Sequence, residues 1–131
     1  MSEPLLHGRE WEHLLRVAEG EVAATLRALP ADLRAHAVKL PVSFEHLPDD
    51  ELVADGIEPD TLGMFFGVPY ADQLHSDSPL PPHVVLYLDN LWDFADADLA
   101  VFKEEVRTTL LHEFGHYLGL DEDDLFDRGL E

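Results

Sequence analysis

The sequence has no cysteine among its 131 residues, and its eight basic side chains are set against 28 acidic ones. Without cysteine the chain can form neither disulfides nor thiolate metal sites, so any metal ion must be bound by histidine and carboxylate side chains. The net charge of −20 argues against phosphate backbones and anionic membrane surfaces as partners. We therefore expect no nucleic-acid and no membrane partner. The negative charge can serve solubility through self-repulsion, or it can favour a basic peptide or protein as substrate or partner.

Long apolar runs are also missing. No segment approaches the ~18 consecutive apolar residues of a membrane-spanning helix, and the first residues lack the basic and apolar regions of a signal peptide. These features predict a cytoplasmic protein. A chain of this length can bury one core but not two, so we expect residues 1–131 to form a single domain. The sequence does not indicate an oligomeric state.

The first half of the chain changes from a helical to a strand-like hydrophobic period. Residues 9–29 place apolar side chains every three and four positions, which predicts a long amphipathic helix that Pro30 ends. A short helix capped by Asp32 is expected over residues 32–37. Alternating apolar residues predict a strand over 38–44, and Pro41 marks it as an edge strand because proline cannot donate to a ladder.

The second half alternates loops and strands before a last helix. The acidic stretch 49–60 predicts a surface loop, 61–67 a short strand, 67–70 a turn, 71–82 a polar loop and 84–88 a buried strand. Residues 91–94 should bridge to a long helix capped by Asp96 or Asp98. The pattern indicates an α+β fold with a small mixed sheet of about three strands, a long N-terminal helix and a functional C-terminal helix.

The C-terminal helix carries the most informative segment of the sequence, the pattern H-E-x-x-H-x-x-G-x-x-E that runs from His112 to Glu122. Two histidines four residues apart project from one side of a helix, where neutral imidazoles can bind one tetrahedral zinc ion. Glu113 lies next to them and can take a proton from a metal-activated water. Gly119 suits a left-handed helix end, after which the chain can double back.

The third metal ligand is left open by the sequence. Spacing favours Glu122, with Asp121 and Asp123 as alternatives. Each of these acids could instead cap a short final helix, because a helix N-terminus stabilises negative charge. The histidines could likewise be core residues, although two histidines and a glutamate form a costly polar cluster to bury without a metal.

The sequence resembles the bacterial zincin-like minimal metalloprotease family, which consists of small single-domain proteins. The resemblance spans roughly residues 10–128 and depends on four stretches in order: Leu29–Arg34, Leu62–Pro69, Leu80–Tyr87 and Val106–Leu125. It implies a compact α+β fold, similar to a trimmed metzincin. The family commonly has Asp where this sequence has Glu122, and full metzincins have His there. The Met-turn of larger metzincins is absent.

The resemblance implies a zinc-dependent metallopeptidase. Carried over, His112 and His116 match the two histidine ligands, Glu113 matches the catalytic acid, and Glu122 falls at the third ligand position. The activity would be hydrolysis of peptide bonds by a metal-activated water with Glu113 as general base. An edge strand near the cleft could align the peptide, and the candidates are the strand containing Pro41 and the strand at 83–88.

Two other functions are compatible with the same residues. The metal could hold the Gly119–Glu122 turn to the helix in a non-catalytic metal-binding or protein-interaction domain, where a closed coordination shell would replace the open position of an enzyme. A metal-dependent ribonuclease has a similar histidine spacing, but the acid at position 113 and the net charge of −20 speak against it.

Overall fold

The computed structural model describes residues 5–67 and 81–128, apart from the side chains of Glu122 and Phe126. The elements described are, in chain order, α1 (Gly8–Arg27), α2 (Ala31–Ala37), β1 (Val42–Glu45), α3 (Asp50–Ala54), β2 (Gly63–Phe66), β3 (His83–Tyr87), α4 (Leu88–Phe94), α5 (Leu99–Leu118) and α6 (Glu122–Asp127). This is the predicted α+β fold, with a long helix towards each end of the chain. None of these helices is long and apolar enough to cross a membrane.

Within residues 5–67 and 81–128, the sheet has three strands in the order β1-β3-β2. β1 is parallel to β3, with Val42 opposite Val84, and β2 is antiparallel to β3, with Gly63 opposite Leu86. The sheet is therefore mixed, as predicted. β1, which directly follows Pro41, lies at an edge, as the proline indicated. The alternative that the strand at 83–88 is an edge strand is wrong, because β3 is central and both of its sides are paired.

β3 is buried on both faces, which explains its continuous run of apolar residues. Val84 and Leu86 face the main core, whereas Val85 and Tyr87 point to the other side and are also buried. Burial together with the nearby carboxylates of Glu45 and Asp49 raises the pKa of Tyr87 to about 12, since both disfavour the phenolate.

The main core lies between the sheet and the two long helices. α1 packs on α5, and α5 packs in turn on β2, β3 and α4. The predicted stripe of α1 is buried at Leu14, Ala18 and Val22, and the helix ends at Arg27, shortly before Pro30. Because α5 touches both helical and sheet neighbours, its buried surface is much wider than that of an ordinary surface helix.

A buried carboxylate ties the N-terminal segment to this core. Asp89 is completely buried and accepts hydrogen bonds from the Leu5 N–H at 2.6 Å and the Leu6 N–H at 3.4 Å. It also pairs with His46 Nδ1 at 2.9 Å, and the His46 ring stacks on Trp11. These contacts join three distant parts of the chain, namely the N-terminal residues, His46 and Asp89, which no local sequence pattern could indicate.

The prediction that Asp32 caps α2 is wrong. Pro30 occupies the N-cap position without a side-chain hydrogen bond, and Asp32 falls in the first turn of the helix. The Asp32 carboxylate instead pairs with Arg128 at 2.7 Å, which lowers the pKa of Asp32. The partner is 96 residues away, so tertiary structure decided this contact.

The strand predicted over 38–44 is shorter and begins later than expected. Val38–Leu40 forms the turn that closes α2, with the Leu40 N–H donating to the Ala37 carbonyl at 3.1 Å. Within this turn the side chain of Leu40 is buried, whereas that of Val38 is mostly exposed. The apparent alternation therefore combined a helix end with a strand.

Two segments expected to be irregular are helical. Within the acidic stretch 49–60, Asp49 caps α3 by accepting from the Leu52 N–H at 2.8 Å. The bridge at 91–94 belongs to α4, which starts directly after β3 and buries Leu88 and Leu91. Both helices are short, and such helices depend on capping and burial more than on intrinsic propensity. The predicted turn at 67–70 and loop at 71–82 lie almost entirely outside the described residues.

Candidate metal centre

The motif lies in the second half of α5, and the packing of that helix sets its orientation. Asp98 caps the helix by accepting from the Val101 N–H at 3.1 Å. Of the two caps predicted for this helix, Asp96 and Asp98, the second is therefore confirmed. Buried apolar residues then repeat along one side of the helix: Phe102, Val106, Leu110, Phe114 and Tyr117. The predicted stripe is confirmed except at its first member, Leu99, which is exposed.

The two histidines and the glutamate of the motif lie together at the border of this buried face. The ring centroids of His112 and His116 are 4.5 Å apart, and His116 Nδ1 is 3.3 Å from Glu113 Oε2. Potential ligand atoms of all three side chains lie within 4.8 Å of one another. His116 is exposed, His112 is half-buried and Glu113 is buried, so solvent reaches the group from the histidine side.

The environment of Glu113 is that of a carboxylate held out of water. Burial raises its pKa above the ordinary value, and both the His112 ring and the backbone N–H of Phe65, which donates to the carboxylate, partly oppose that rise. A carboxylate with a raised pKa can accept a proton more readily near neutral pH than an ordinary surface glutamate can.

β2 forms the wall of this group, which the sequence did not indicate. The Phe65 ring lies 5.6 Å from the Tyr117 ring, and Gly63 lies directly over Thr109 of α5. The side chain of Asn90 stabilises the entrance to β2 by donating to the Pro59 carbonyl at 2.8 Å and the Thr61 carbonyl at 2.9 Å. Gly63 and Gly67 flank the Met64–Phe66 segment, and at both glycines the backbone lies close to another part of the protein. The spacing of the glycines in the sequence does not indicate which parts these are.

The chain turns back after α5 as the motif predicts. Gly119 has a φ of 74° in the left-handed region. The Leu120 N–H donates to the Gly115 carbonyl at 2.8 Å and the Gly119 N–H to the His116 carbonyl at 3.2 Å, which is the Schellman arrangement. Leu125 of α6 then packs against Gly115, where an added Cβ would lie 3.1 Å from Leu125 Cδ1. α6 therefore lies against the helix that carries the histidines.

The third-ligand prediction concerns this returning segment. Asp121 and Asp124 form a reciprocal cap, in which the Asp124 N–H donates to Asp121 Oδ1 at 2.8 Å and the Asp121 N–H donates to Asp124 Oδ2 at 3.1 Å. Asp121 thus has the capping contact proposed as its alternative role. Asp123 is exposed and lies outside the His112–Glu113–His116 group. Glu122 begins α6, and its side chain lies outside the described part of the chain.

Comparison with known proteins places this arrangement in a family. Residues 37–130 match the sequence model of zincin-like metallopeptidases. The chain belongs to the zincin-like metallopeptidase family. The matched region contains all three described strands and the complete motif of α5, and it leaves out the whole of α1. No curated protein matches the chain.

Membership of the zincin-like family agrees with the resemblance expected from the sequence. It also makes a metal-binding role the natural interpretation of the His112–Glu113–His116 group, because imidazole and carboxylate are typical zinc ligands. The individual roles of His112, Glu113, His116 and Glu122 stay predictions.

Proposed function

We propose that the protein is a zinc-dependent peptidase whose centre is built by His112, Glu113 and His116. The observation that carries the proposal is a buried carboxylate lying against an exposed histidine, with a second histidine one helical turn away. A buried acid beside two imidazoles costs free energy unless a bound ion or a chemical role offsets that cost.

The donor set fits zinc. His112 and His116 would each supply one ring nitrogen, and their rings already lie side by side. Glu122 is the third ligand that we propose, since α6 packs on α5 at Gly115 and Asp121 has a capping contact with Asp124. Three protein ligands would leave one tetrahedral position for water or substrate.

Glu113 supplies the proton transfer in this scheme. A bound zinc ion acts as a Lewis acid, which lowers the pKa of water and polarises a carbonyl group. Glu113 takes a proton from the attacking water as general base and then passes it to the leaving amine as general acid. Its burial between α5 and β2 keeps bulk water from the carboxylate, while the exposed His116 side leaves the centre open to substrate.

β2 is the strand we propose for aligning the substrate, in place of the two strands first considered. β3 is central, and β1 lies across β3 from β2, whereas β2 packs directly on α5. Main-chain groups of β2 that point away from β3, other than the Phe65 N–H beside Glu113, can pair with an extended peptide by strand addition. The net charge of −20 favours basic peptides among the substrates.

The test combines metal analysis with Glu113→Gln. We expect purified protein to bind zinc, and the variant to keep the metal while losing about 10²–10⁴-fold in peptide hydrolysis. Glu104→Gln is the matched control, because Glu104 is exposed on the same helix and the change is chemically identical. Peptide libraries that carry Lys and Arg or Asp and Glu around the scissile bond would reveal the charge preference, which salt should weaken.

Two outcomes would contradict this proposal. Loss of metal in Glu113→Gln would mean that Glu113 is a ligand and that the roles are misassigned. Tight metal binding without hydrolysis of any library would favour the non-catalytic metal-binding or interaction domain instead.

A further inference from the structure

Gly63 is the point where β2 comes closest to α5. A Cβ added to Gly63 would lie 2.7 Å from Thr109 Cγ2, 3.0 Å from Leu86 Cδ2 and 3.2 Å from the Val85 carbonyl oxygen. The first of these distances is far below van der Waals contact, and Thr109 is buried in the packed face of α5. Any side chain at position 63 would therefore push β2 and α5 apart, because close-packed interiors transmit such strain to their neighbours.

The same strand presents a main-chain donor to the motif. The Tyr87 N–H donates to the Leu62 carbonyl at 2.9 Å, so Leu62 and Tyr87 form a hydrogen-bonded pair of the antiparallel ladder. Hydrogen-bonded and non-hydrogen-bonded pairs alternate, and the N–H of Phe65 must therefore point away from β3. The N–H thus points outward from the sheet, and hydrogen bonding by the Phe65 backbone is one of the effects that oppose the raised pKa of Glu113.

Thr109 and Glu113 bring these two contacts onto one face of α5. They are four residues apart in the helix, and side chains at that spacing lie one turn above the other. Gly63 and Phe65 are two residues apart in β2 and face the same side of the sheet, opposite Leu86 and Val84. The contact of Gly63 with Thr109 thus lies one step from the contact of Phe65 with Glu113.

We propose that Gly63 is a positioning residue for Glu113: the missing side chain lets β2 rest on Thr109 Cγ2 at the separation at which the Phe65 N–H holds the Glu113 carboxylate beside His116. The inference rests on the proposed function and deepens it, since it names what fixes the general base. A glycine at this place is needed for the distance between a strand and a helix, and not for an unusual φ value.

The experiment compares Gly63→Ala, Thr109→Ser and the double variant. Thr109→Ser removes only Cγ2 and keeps the hydroxyl group, so it relieves the 2.7 Å contact that alanine would create. Gly20→Ala is the control for a glycine-to-alanine change, because nothing lies within 4 Å of a Cβ at Gly20.

The first readout is the Phe65 amide in metal-free protein, followed by ¹⁵N–¹H NMR and hydrogen exchange. Glu113→Gln in the wild-type background gives the chemical shift of the Phe65 amide when position 113 has no carboxylate, and the difference from wild type identifies the contact with the carboxylate. We expect Gly63→Ala to move the Phe65 amide towards that of the Glu113→Gln protein and to accelerate its exchange. The double variant should restore both, and Gly20→Ala should leave both unchanged.

The second readout is the kinetics of the zinc-loaded enzyme. We expect Gly63→Ala to lower kcat by about 10- to 100-fold, since a misplaced catalytic group has an effect of that order, with KM and zinc affinity within about threefold of wild type. The double variant should recover kcat to within about threefold. If Gly63→Ala does not fold, a double variant that folds with wild-type kcat and a wild-type Phe65 amide still supports the proposal.

Failure of this inference differs from failure of the proposed function. A wild-type protein without turnover would remove the peptidase, but the Phe65 amide would still report on Gly63. The positioning role is overturned if Gly63→Ala leaves the Phe65 amide as in wild type. It is also overturned if Thr109→Ser fails to restore the amide and kcat in the double variant.

Discussion

Replacing Gly119 and Gly20 by alanine should change stability in opposite directions. Gly119 ends α5 at a φ of 74°, a conformation that costs an L-residue about 1–2 kcal/mol. The alanine gains back roughly 0.4–1 kcal/mol by restricting the unfolded chain. Gly119→Ala should therefore lower the free energy of unfolding by about 1 kcal/mol.

Gly20 provides the matched comparison. It lies in the middle of α1, where nothing surrounds an added Cβ and the φ value is ordinary. Alanine in an exposed helix interior is favoured over glycine by about 0.8–1 kcal/mol, so Gly20→Ala should stabilise the protein by that amount. The same chemical change should thus separate the two variants by about 2 kcal/mol.

Urea unfolding of metal-free protein, followed by far-ultraviolet circular dichroism, measures this difference. The two midpoints should lie on opposite sides of the wild-type value. Zinc titration should in addition reveal weaker binding in Gly119→Ala only, because the left-handed turn directs the chain from His116 back towards α6. Equal shifts of both midpoints in the same direction would refute the assignment of the turn.

Three further predictions concern buried and capping groups. Asp89→Ala should lower the free energy of unfolding, measured in urea, by about 2–4 kcal/mol, because it leaves several buried donors without their acceptor. Asp93→Ala, at an exposed site on the same helix, is the control and should change it by less than about 0.5 kcal/mol. A loss no larger than that of the control would contradict the role of Asp89 in holding the N-terminal segment. Tyr87 has a pKa of about 12 in the folded protein against 10.0 for an ordinary tyrosine. It therefore favours the folded state below pH ~10 and loses this contribution of about 2–3 kcal/mol as the pH rises to ~12. Tyr87→Phe should abolish this part of the alkaline loss of stability, measured by denaturation at each pH, and a pH profile identical to that of wild type would exclude the contribution of Tyr87. Asp98→Ala should cost about 1 kcal/mol of thermal unfolding free energy by removing the cap of α5, and an unchanged melting temperature would argue against that cap.

Local patterns in the sequence were sufficient where a single element decides the outcome. The period of the apolar residues located α1 and α5, the β-branched run located β3, and the glycine after the motif located the left-handed end of α5. The His112–Glu113–His116 cluster was also predictable, because four residues make about one turn of any α-helix.

The position of β2 beside Glu113 and the true partner of Asp32 could be known only from the tertiary structure. Asp32 pairs with Arg128 across 96 residues, and Asp89 joins the N-terminal segment to His46. Such partners are brought together only by folding, and a sequence pattern records a spacing along the chain but not a contact between distant elements.

Two histidines and a glutamate on one helix, with a glycine to end it, were determined by the order of residues alone, because a helix has one geometry and the spacing converts directly into a shared face. Which strand lies beside Glu113 was decided by the order β1-β3-β2, since strands of equal hydrophobicity can pair in several orders. That order puts Gly63 and Phe65 against α5 and leaves β1 at the far edge of the sheet. The helix thus supplies the chemical groups, and the packing of the sheet on it sets where the buried carboxylate is held.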